Sequence, residues 1–180
     1  MKNILHKILL ILMDLAPKLI YIFLSKINRL HNHINGIGFG GFPSIIKEVE
    51  SISKFIPEGK IVIDVGGNIG DYSEQIINNF NPNELHIFEP SSKNVDKLKK
   101  RFENNKNVRI NGIGLSNESN KSMLYSNTIG SGLGSVYKRR LDHFNIKFDE
   151  TETIELMRFD KYWKDNEKTI DIFKIDVEGH

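Results

Sequence analysis

The sequence predicts an α/β fold in which a mostly parallel sheet lies between layers of helices. Two observations support this prediction. From residue 60 onward, short apolar runs rich in β-branched residues alternate with segments whose apolar residues recur at helical spacing. The connections between these segments are short and contain turn-forming Asn, Pro and Gly. Alternating strands and helices with short connections favour parallel pairing and right-handed crossovers.

The elements follow in order along the chain. A helix begins at Pro43 and Ser44, because proline is favoured in the first turn and the apolar residues that follow keep helical spacing. Three strands then alternate with two helices. We predict the strands at 61–65, 85–90 and 108–115, and the helices from the apolar sets Tyr72, Ile76, Ile77, Phe80 and Val95, Leu98, Phe102.

The last third of the chain contains further strands around a loop. Strands are predicted at 122–126 and 153–159, on either side of a Gly/Ser-rich loop at 127–140, and a buried strand at 170–180. The loop ends in Lys138, Arg139 and Arg140, which either form a solvated face or meet an acidic substrate as the loop closes. Tyr162 and Trp163 are predicted to be core aromatics beneath a short helix.

The composition is that of an ordinary globular protein, with 39% hydrophobic and 27% charged residues among 180. A net charge of +2 is too weak to indicate nucleic-acid binding. Cysteine is absent, which excludes disulfides and thiolate metal sites and agrees with a cytoplasmic location. We predict a helical extension at 1–57 followed by one domain at 58–180.

The first thirty residues are very apolar, but Asp14, Pro17 and Lys18 interrupt them short of the ~20 apolar residues that a spanning helix needs. The polar residues share one helical face: Lys7, Asp14, Lys18, Ser25 and Arg29. We predict one or two amphipathic helices, broken or kinked at Pro17. Packing against the protein or a second subunit, contact with a membrane surface, and a signal or anchor segment remain open, as does the oligomeric state.

The stretch "VIDVGGNIGDYS" at 62–73 joins a strand to a glycine-rich loop. In an open parallel sheet, ligands lie beyond the carboxyl ends of the strands. Gly66, Gly67 and Gly70 lie at such an end, where glycine lets the backbone come close to a ligand. Glu89 ends the next strand, about 20 residues further on, where a ribose-binding carboxylate is expected. The pattern indicates a cofactor that contains adenosine.

The charges around this loop narrow the choice. The dinucleotide spacing G-x-G-x-x-G is not met, because Asn68 and Asp71 stand at the second and third glycine positions. At ~4 Å and an effective dielectric of ~20, Asp71 would repel a phosphate charge by about 4 kcal/mol. A cofactor that carries an ammonium and a sulfonium would instead be attracted by these carboxylates. We therefore predict S-adenosylmethionine, with Asp64 at its cationic end, and keep a nicotinamide-dependent oxidoreductase as the alternative.

Five segments strengthen this prediction. "VIDVGGNIGDYS", "LHIFEPSSKNVDKLKK", "GLSNESNKSMLY", "LMRFDKYW" and "IDIFKIDVEGH" resemble, in this order, the FkbM family of S-adenosylmethionine-dependent methyltransferases. The resemblance covers about residues 60–180. It implies the Rossmann-like class I methyltransferase fold, a three-layer sandwich. Known members commonly methylate hydroxyls of sugars or natural products, so it also implies O-methylation of a glycan or a small metabolite.

The resemblance also implies site residues. Asp64, Gly66, Asn68 and Gly70 would line the methionine end of the cofactor, and Glu89 would bind the ribose. Ser116 and Asn117 match the place where the family usually has Ser-Asp beside the adenine. Asn117 replaces the usual acid but can still pair with the adenine amine.

A hydroxyl acceptor must lose a proton during methyl transfer, which calls for a base or a metal. Asp176 ends its strand on the ligand side of the sheet, and alternation places Lys174 on the same side. We predict that Asp176 is the base or orients the acceptor, with Glu178 or His180 assisting. Glu178 instead braces the turn or caps a following helix in the alternative interpretation. Too few ligands are in view to predict a metal.

The chain stops at "DVEGH", where the family continues with another helix and further strands. An uncovered central strand would carry unpaired backbone groups along one edge. We therefore expect a fragment of a longer protein, with a sheet incomplete at the C-terminus. A non-catalytic membrane-peripheral or scaffold protein built on the same fold is a third hypothesis.

Overall fold

The structure is a computed structural model that describes residues 17–34, 42–56, 60–138 and 147–177. The chain divides into two compact units, Met1–Lys47 and Glu48–His180. Helix α1 (Pro17–Ile34) lies in the first unit, and α2 (Phe42–Phe55) starts one residue before the predicted Pro43. Among the helices in the described ranges, none has the length and apolar character needed to cross a membrane.

Alternating strands and helices fill most of the second unit, as the sequence predicts. Their bounds are β1 (Ile61–Val65), α3 (Asp71–Phe80), β2 (Glu84–Phe88), α4 (Ser92–Arg101), β3 (Val108–Asn111), β4 (Gly114–Leu115), β5 (Asn120–Ser126), β6 (Glu150–Met157), α5 (Phe159–Tyr162) and β7 (Ile172–Ile175). The strand predicted at 108–115 is divided into β3 and β4, which belong to different sheets. Two glycines lie at this division, and glycine weakens a strand interior.

The larger sheet has the order β3-β2-β1-β7, and every neighbouring pair in it is parallel. The smaller sheet has the order β4-β6-β5, with β5 antiparallel to β6. The predicted α/β fold with a mostly parallel sheet is therefore confirmed. Since β1 lies centrally, all five of its residues are buried, as parallel strands covered on both faces usually are.

The larger sheet has helices on both faces. On one face, Ser73 of α3 donates a hydrogen bond to Asp64 of β1. On the other face, Ile63, Val65 and Phe88 form a buried cluster against the segment around α5. The ring of Tyr162 meets Phe88 edge-on, with centroids 4.8 Å apart. This gives the three-layer arrangement, in which each fully buried aliphatic or aromatic side chain contributes roughly 1.5–3 kcal/mol.

The aromatic residues near α5 also surround a buried histidine. Tyr162 ends α5 and Trp163 follows it, and both are half-buried against the core cluster rather than fully in the core. Both rings contact His86 of β2 edge-on. The Nδ1 atom of His86 lies 2.7 Å from the Tyr162 hydroxyl, and Nε2 lies 3.1 Å from Glu84. Burial lowers the pKa of His86, although the Glu84 carboxylate opposes that shift.

A carboxylate of the smaller sheet caps helix α4, which packs beside the larger sheet. Glu152 of β6 accepts hydrogen bonds from the Ser92 amide (2.8 Å) and the Ser91 hydroxyl (3.0 Å) at the start of α4. The Ser92 amide belongs to the first turn, where backbone amides lack partners within the helix, and Ser91 is the residue just before it. The Glu152 cap therefore holds β6 beside the turn that carries Glu89.

Candidate functional site

The glycine-rich loop after β1 keeps its own backbone amides occupied. Gly66 and Gly67 both donate to the Phe88 carbonyl, at 2.9 and 3.0 Å, and Gly70 donates to the Gly67 carbonyl at 2.8 Å. The Asn68 amide donates to Oε2 of Glu89 at 2.8 Å. A phosphate cradle offers such amides to its ligand. In this loop these four amides already bond within the protein.

Gly66 has φ of +79°, in the left-handed region that favours glycine. A Cβ atom placed on Gly66 would lie 1.9 Å from the carbonyl oxygen of Asp176. Gly67 approaches Ile87, and Gly70 approaches Leu98 and Phe102, too closely for a side chain to fit without movement of these neighbours. These glycines therefore let the loop pack tightly between β2, α4 and the end of β7.

The two aspartates flanking the loop have partners within the protein. Asp64 is wholly buried, accepts a hydrogen bond from Ser73 at 2.6 Å and lies 3.0 Å from the Lys174 ammonium. Asp71 pairs with Arg101 of α4 at 2.7 Å, and Arg101 also pairs with Glu74, which lies on α3 together with Asp71. Neither aspartate belongs to the cavity lining described next. The predicted role of Asp64 at a ligand's cationic end stays a prediction, and its carboxylate faces α3 and Lys174.

A cavity of about 130 Å³ lies beyond the carboxyl ends of β1, β2 and β7. The position agrees with the rule for ligands of open α/β sheets. Its lining combines residues that end the parallel strands with apolar residues of the smaller sheet and with the segment 127–136, which we call the strap. The lining residues are Val65, Gly66, Asn68, Phe88, Glu89, Pro90, Asn94, Gly114, Leu115, Leu124, Ser131, Gly132, Gly134, Ser135, Val136, Ile154, Leu156, Asp176 and Val177.

Glu89 is the most tightly held carboxylate of the cavity. One oxygen accepts from the Asn68 amide and the other from the Ser91 amide, at 2.8 and 3.0 Å. Burial raises the pKa of Glu89, while these amides and Asn94 act in the opposite direction. Each carboxylate oxygen has a second lone pair, so Glu89 can still accept from a ligand hydroxyl.

Asn94 is a cavity residue that the sequence prediction missed. It is buried in the first turn of α4, and its amide nitrogen donates to the Asn68 side chain at 3.0 Å. Its oxygen has no hydrogen-bond donor among the residues that the structure describes. A buried acceptor without a donor is costly, and Gly130 of the segment 127–136 lies against this oxygen. A polar residue beside the apolar Val95 and Leu98 in the sequence was the available signal.

Asp176 follows β7 directly and belongs to the cavity lining, and its role toward the acceptor stays a prediction. Its amide donates to the Val65 carbonyl at 2.9 Å. Its side chain is 67% exposed, and one carboxylate oxygen lies 3.8 Å from the Lys174 ammonium. The other two predicted catalytic residues, Glu178 and His180, lie outside the described residues.

Ser116 and Asn117 follow β4 but are not part of the cavity lining, which takes Gly114 and Leu115 from this segment. The Ser116 hydroxyl donates to the Asn117 side chain at 3.2 Å, and the Ser116 amide donates to the Met157 carbonyl at 3.0 Å. Their predicted contact with adenine stays a prediction.

The strap starts after β5 and returns to it. Tyr125 and Ser135 exchange backbone hydrogen bonds of 2.8 and 3.0 Å, which close the segment between them. A Cβ atom on Gly132 would lie 3.1 Å from the Asn68 side chain, and one on Gly130 would lie 2.9 Å from the Asn94 oxygen. The strap therefore lies directly over Asn68 and Asn94, on the same side as Glu89. Arg139 and Arg140, at the basic end of the predicted loop 127–140, lie outside the described residues.

Two solved structures are similar to parts of the chain. One is PH1948 from Pyrococcus horikoshii, a proposed RNA methyltransferase, with 22% identity, a TM-score of 0.32, and 37% of this chain and 34% of that one covered. The other is SAM-bound CalS10 from Micromonospora echinaspora, an amino pentose methyltransferase of calicheamicin biosynthesis. It has 17% identity, a TM-score of 0.32, and coverage of 45% and 32%. The chain spans about a third of the length of these structures.

At these TM-scores neither likeness carries a structural conclusion. No curated protein matches the chain significantly. A family profile does match. Residues 64–180, from Asp64 at the end of β1 through the cavity to the last residue, match the methyltransferase FkbM domain. The chain belongs to the FkbM methyltransferase domain family.

Proposed function

We propose that this domain binds S-adenosylmethionine and transfers its methyl group to a hydroxyl of a sugar, glycan or small metabolite. One observation carries the choice of cofactor. The Glu89 carboxylate is held at the cavity by two backbone amides, while the amides of Gly66, Gly67, Asn68 and Gly70 in the adjoining glycine loop are engaged within the protein. A dinucleotide needs those amides for its diphosphate, whereas an adenosine cofactor without phosphates does not.

The cavity residues suit the parts of this cofactor. Glu89 would accept hydrogen bonds from the ribose hydroxyls, and the unpaired oxygen of Asn94 would accept another from the nucleoside. The apolar side chains of Leu115, Leu124 and Leu156 would contact the adenine. When bound, S-adenosylmethionine supplies an electrophilic methyl group on a sulfonium.

Asp176 is the candidate for the proton of the acceptor hydroxyl. It lies at the cavity and its carboxylate is exposed enough to meet a ligand. In our proposal it orients the hydroxyl and accepts its proton, a role that requires hydrogen-bond reach of the acceptor oxygen. Glu178 and His180 remain predicted assistants.

Calorimetric titration with S-adenosylhomocysteine tests the cofactor. We expect the wild-type chain to bind, and Glu89→Gln to weaken binding by at least about tenfold, or ~1.4 kcal/mol. Glu155→Gln, on the exposed side of β6, is the matched control and should bind normally. Because burial raises the pKa of Glu89, binding should also weaken as the pH falls toward that raised value.

The oxidoreductase alternative makes the opposite forecast. Micromolar binding of NAD together with indifference to S-adenosylhomocysteine would contradict our proposal.

For the acceptor, incubation of the chain with methyl-labelled cofactor and a cell extract should label a hydroxyl-bearing compound. Cofactor binding without transfer to any acceptor would favour the non-catalytic hypothesis.

We further propose that α1 lies on an anionic membrane surface. Its large apolar side chains are exposed, namely Tyr21, Ile22, Phe23, Leu24, Ile27 and Leu30. The helix carries Lys18, Lys26 and Arg29 and no acidic residue, so a second copy would be repelled and anionic headgroups attracted.

Flotation with vesicles tests this contact. The chain should float with vesicles that contain phosphatidylglycerol and much less with pure phosphatidylcholine. Phe23→Gln with Ile27→Gln should abolish flotation, because it removes apolar area without changing charge. Asn28→Gln with Asn32→Gln is the neutral control. Absence of flotation, or a stable dimer in sedimentation instead, would refute the membrane contact.

A further inference from the structure

Lys174 connects three parts of the site through one ammonium group. It lies on β7 directly opposite Asp64 of β1. Its nitrogen lies 3.0 Å from Asp64 Oδ1 and 3.8 Å from Asp176 Oδ2, and it donates to the Gly66 carbonyl at 3.3 Å. The ammonium also lies 5.1 Å from the Tyr72 ring centroid, within the range of a cation–π contact. The side chain is only 15% exposed.

The three acceptors differ in their surroundings. Asp64 is wholly buried, so its charge would be very costly without a cation beside it. The Gly66 carbonyl belongs to the glycine loop, whereas Asp176 is exposed at the cavity. The ammonium donates a hydrogen bond to the Gly66 carbonyl, and it forms ion pairs with Asp64 at 3.0 Å and with Asp176 at 3.8 Å. A residue needed only to neutralise Asp64 would not have to contact the other two.

We propose that Lys174 is a positioning residue of this site. Its ammonium holds the glycine loop and the Asp176 carboxylate in a fixed relation, so that Asp176 faces the acceptor side of the cavity. The Lys174 proposal deepens the proposed function, and it rests on that function for the identity of the ligand. In this proposal Lys174 neutralises the charge of Asp64. Glu89 and Asp176, which line the cavity, are then the carboxylates that a ligand can meet.

The double variant Lys174→Met with Asp64→Asn separates two roles of Lys174, the positioning of Asp176 and the neutralisation of Asp64. Lys174→Met alone leaves Asp64 buried without a counter-charge and should lower the melting temperature. Adding Asp64→Asn removes that charge and should restore it, because the Ser73 hydrogen bond can be kept. If Lys174 positions Asp176, two defects should persist: roughly tenfold faster hydrogen exchange of the Asp176 amide and roughly tenfold weaker S-adenosylhomocysteine binding.

Three controls frame this test. Asp64→Asn alone keeps the ammonium beside Gly66 and Asp176, so exchange of the Asp176 amide should stay near wild type, and its S-adenosylhomocysteine affinity is the baseline with which the double variant is compared. Lys168→Met removes a lysine that pairs with Glu84, away from the cavity lining, and should change neither readout. Should the double variant not fold, Lys174→Arg keeps the counter-charge but replaces the compact ammonium with a planar fork. It should keep the melting temperature and still speed exchange at Asp176.

The outcomes are distinguishable. Wild-type exchange and wild-type binding in the double variant, or in Lys174→Arg if only that variant folds, would overturn the positioning role. A wild-type chain that does not bind S-adenosylhomocysteine would overturn the proposed function. Hydrogen exchange at Asp176 would then still decide whether Lys174 positions it, since that measurement needs no ligand.

Discussion

Replacing Gly66 by alanine should destabilise the domain strongly. At φ of +79° a residue with a Cβ costs about 1–2 kcal/mol more than glycine. The new Cβ would lie 1.9 Å from the Asp176 carbonyl oxygen, so the end of β7 must move away from β1. That movement strains or breaks the 2.9 Å hydrogen bond from the Asp176 amide to Val65, at a further cost of about 1 kcal/mol.

Together these costs amount to about 2–3 kcal/mol, which lowers the melting temperature of a domain of this size by roughly 4–12 °C. Thermal unfolding followed by circular dichroism measures this difference. Gly134→Ala is the matched control, because Gly134 also lines the cavity, lies outside the left-handed region and has room for a Cβ at 3.5 Å from Leu124. Equal melting temperatures for the two variants would refute the role assigned to the Gly66–Asp176 contact.

Three further changes test the surrounding contacts. Ser73→Ala removes the buried hydrogen bond to Asp64 and should cost about 1.5–3 kcal/mol in denaturant unfolding, whereas Ser53→Ala, which removes a solvent-exposed hydrogen bond to the Glu50 carbonyl within α2, should cost about 0.5 kcal/mol or less. Glu152→Ala removes the Glu152 cap and should cost about 1 kcal/mol; a loss no larger than that of Glu155→Ala would contradict its capping role. His86 has a pKa below its usual 6.5, so its contribution to stability is fully present above pH 6.5 and is lost as the pH falls toward the lowered value. Unfolding free energies at pH 7 and 5.5 should show this decline in the wild type and a smaller one in His86→Gln, and parallel declines would exclude His86 as its source.

The elements that depend on local patterns could be predicted from the sequence. The β1 strand, the glycine loop and the helices α3 and α4 follow from apolar spacing and turn residues, and the positions of Glu89 and Asp176 follow from where their strands end. The partners of charged groups could not be predicted in this way. Asp64 finds its cation 110 positions further on, at Lys174, through strand pairing that no local pattern specifies.

This difference changes the interpretation of the acidic residues near the loop. From the sequence, Asp64 and Asp71 indicate a site that repels phosphate. In the structure Lys174 pairs with Asp64 and Arg101 pairs with Asp71, so each carboxylate has a counter-charge beside it. Phosphate is disfavoured for another reason, the internal hydrogen bonds of the loop amides. Similarly, the strap's position over Asn68 could not be predicted, because loops of this composition have no fixed path.

The internal hydrogen bonds of the glycine loop have a consequence for the energetics of association. A loop whose amides are satisfied beforehand is preorganised, so a ligand need not spend free energy on ordering it. The strap covers the cavity residues Asn68 and Asn94 through its glycines, so a ligand that reaches them must displace it. Entry to the cavity should therefore cost rearrangement in the strap while the loop stays rigid. We expect ligand-dependent changes in backbone dynamics to concentrate in residues 127–136.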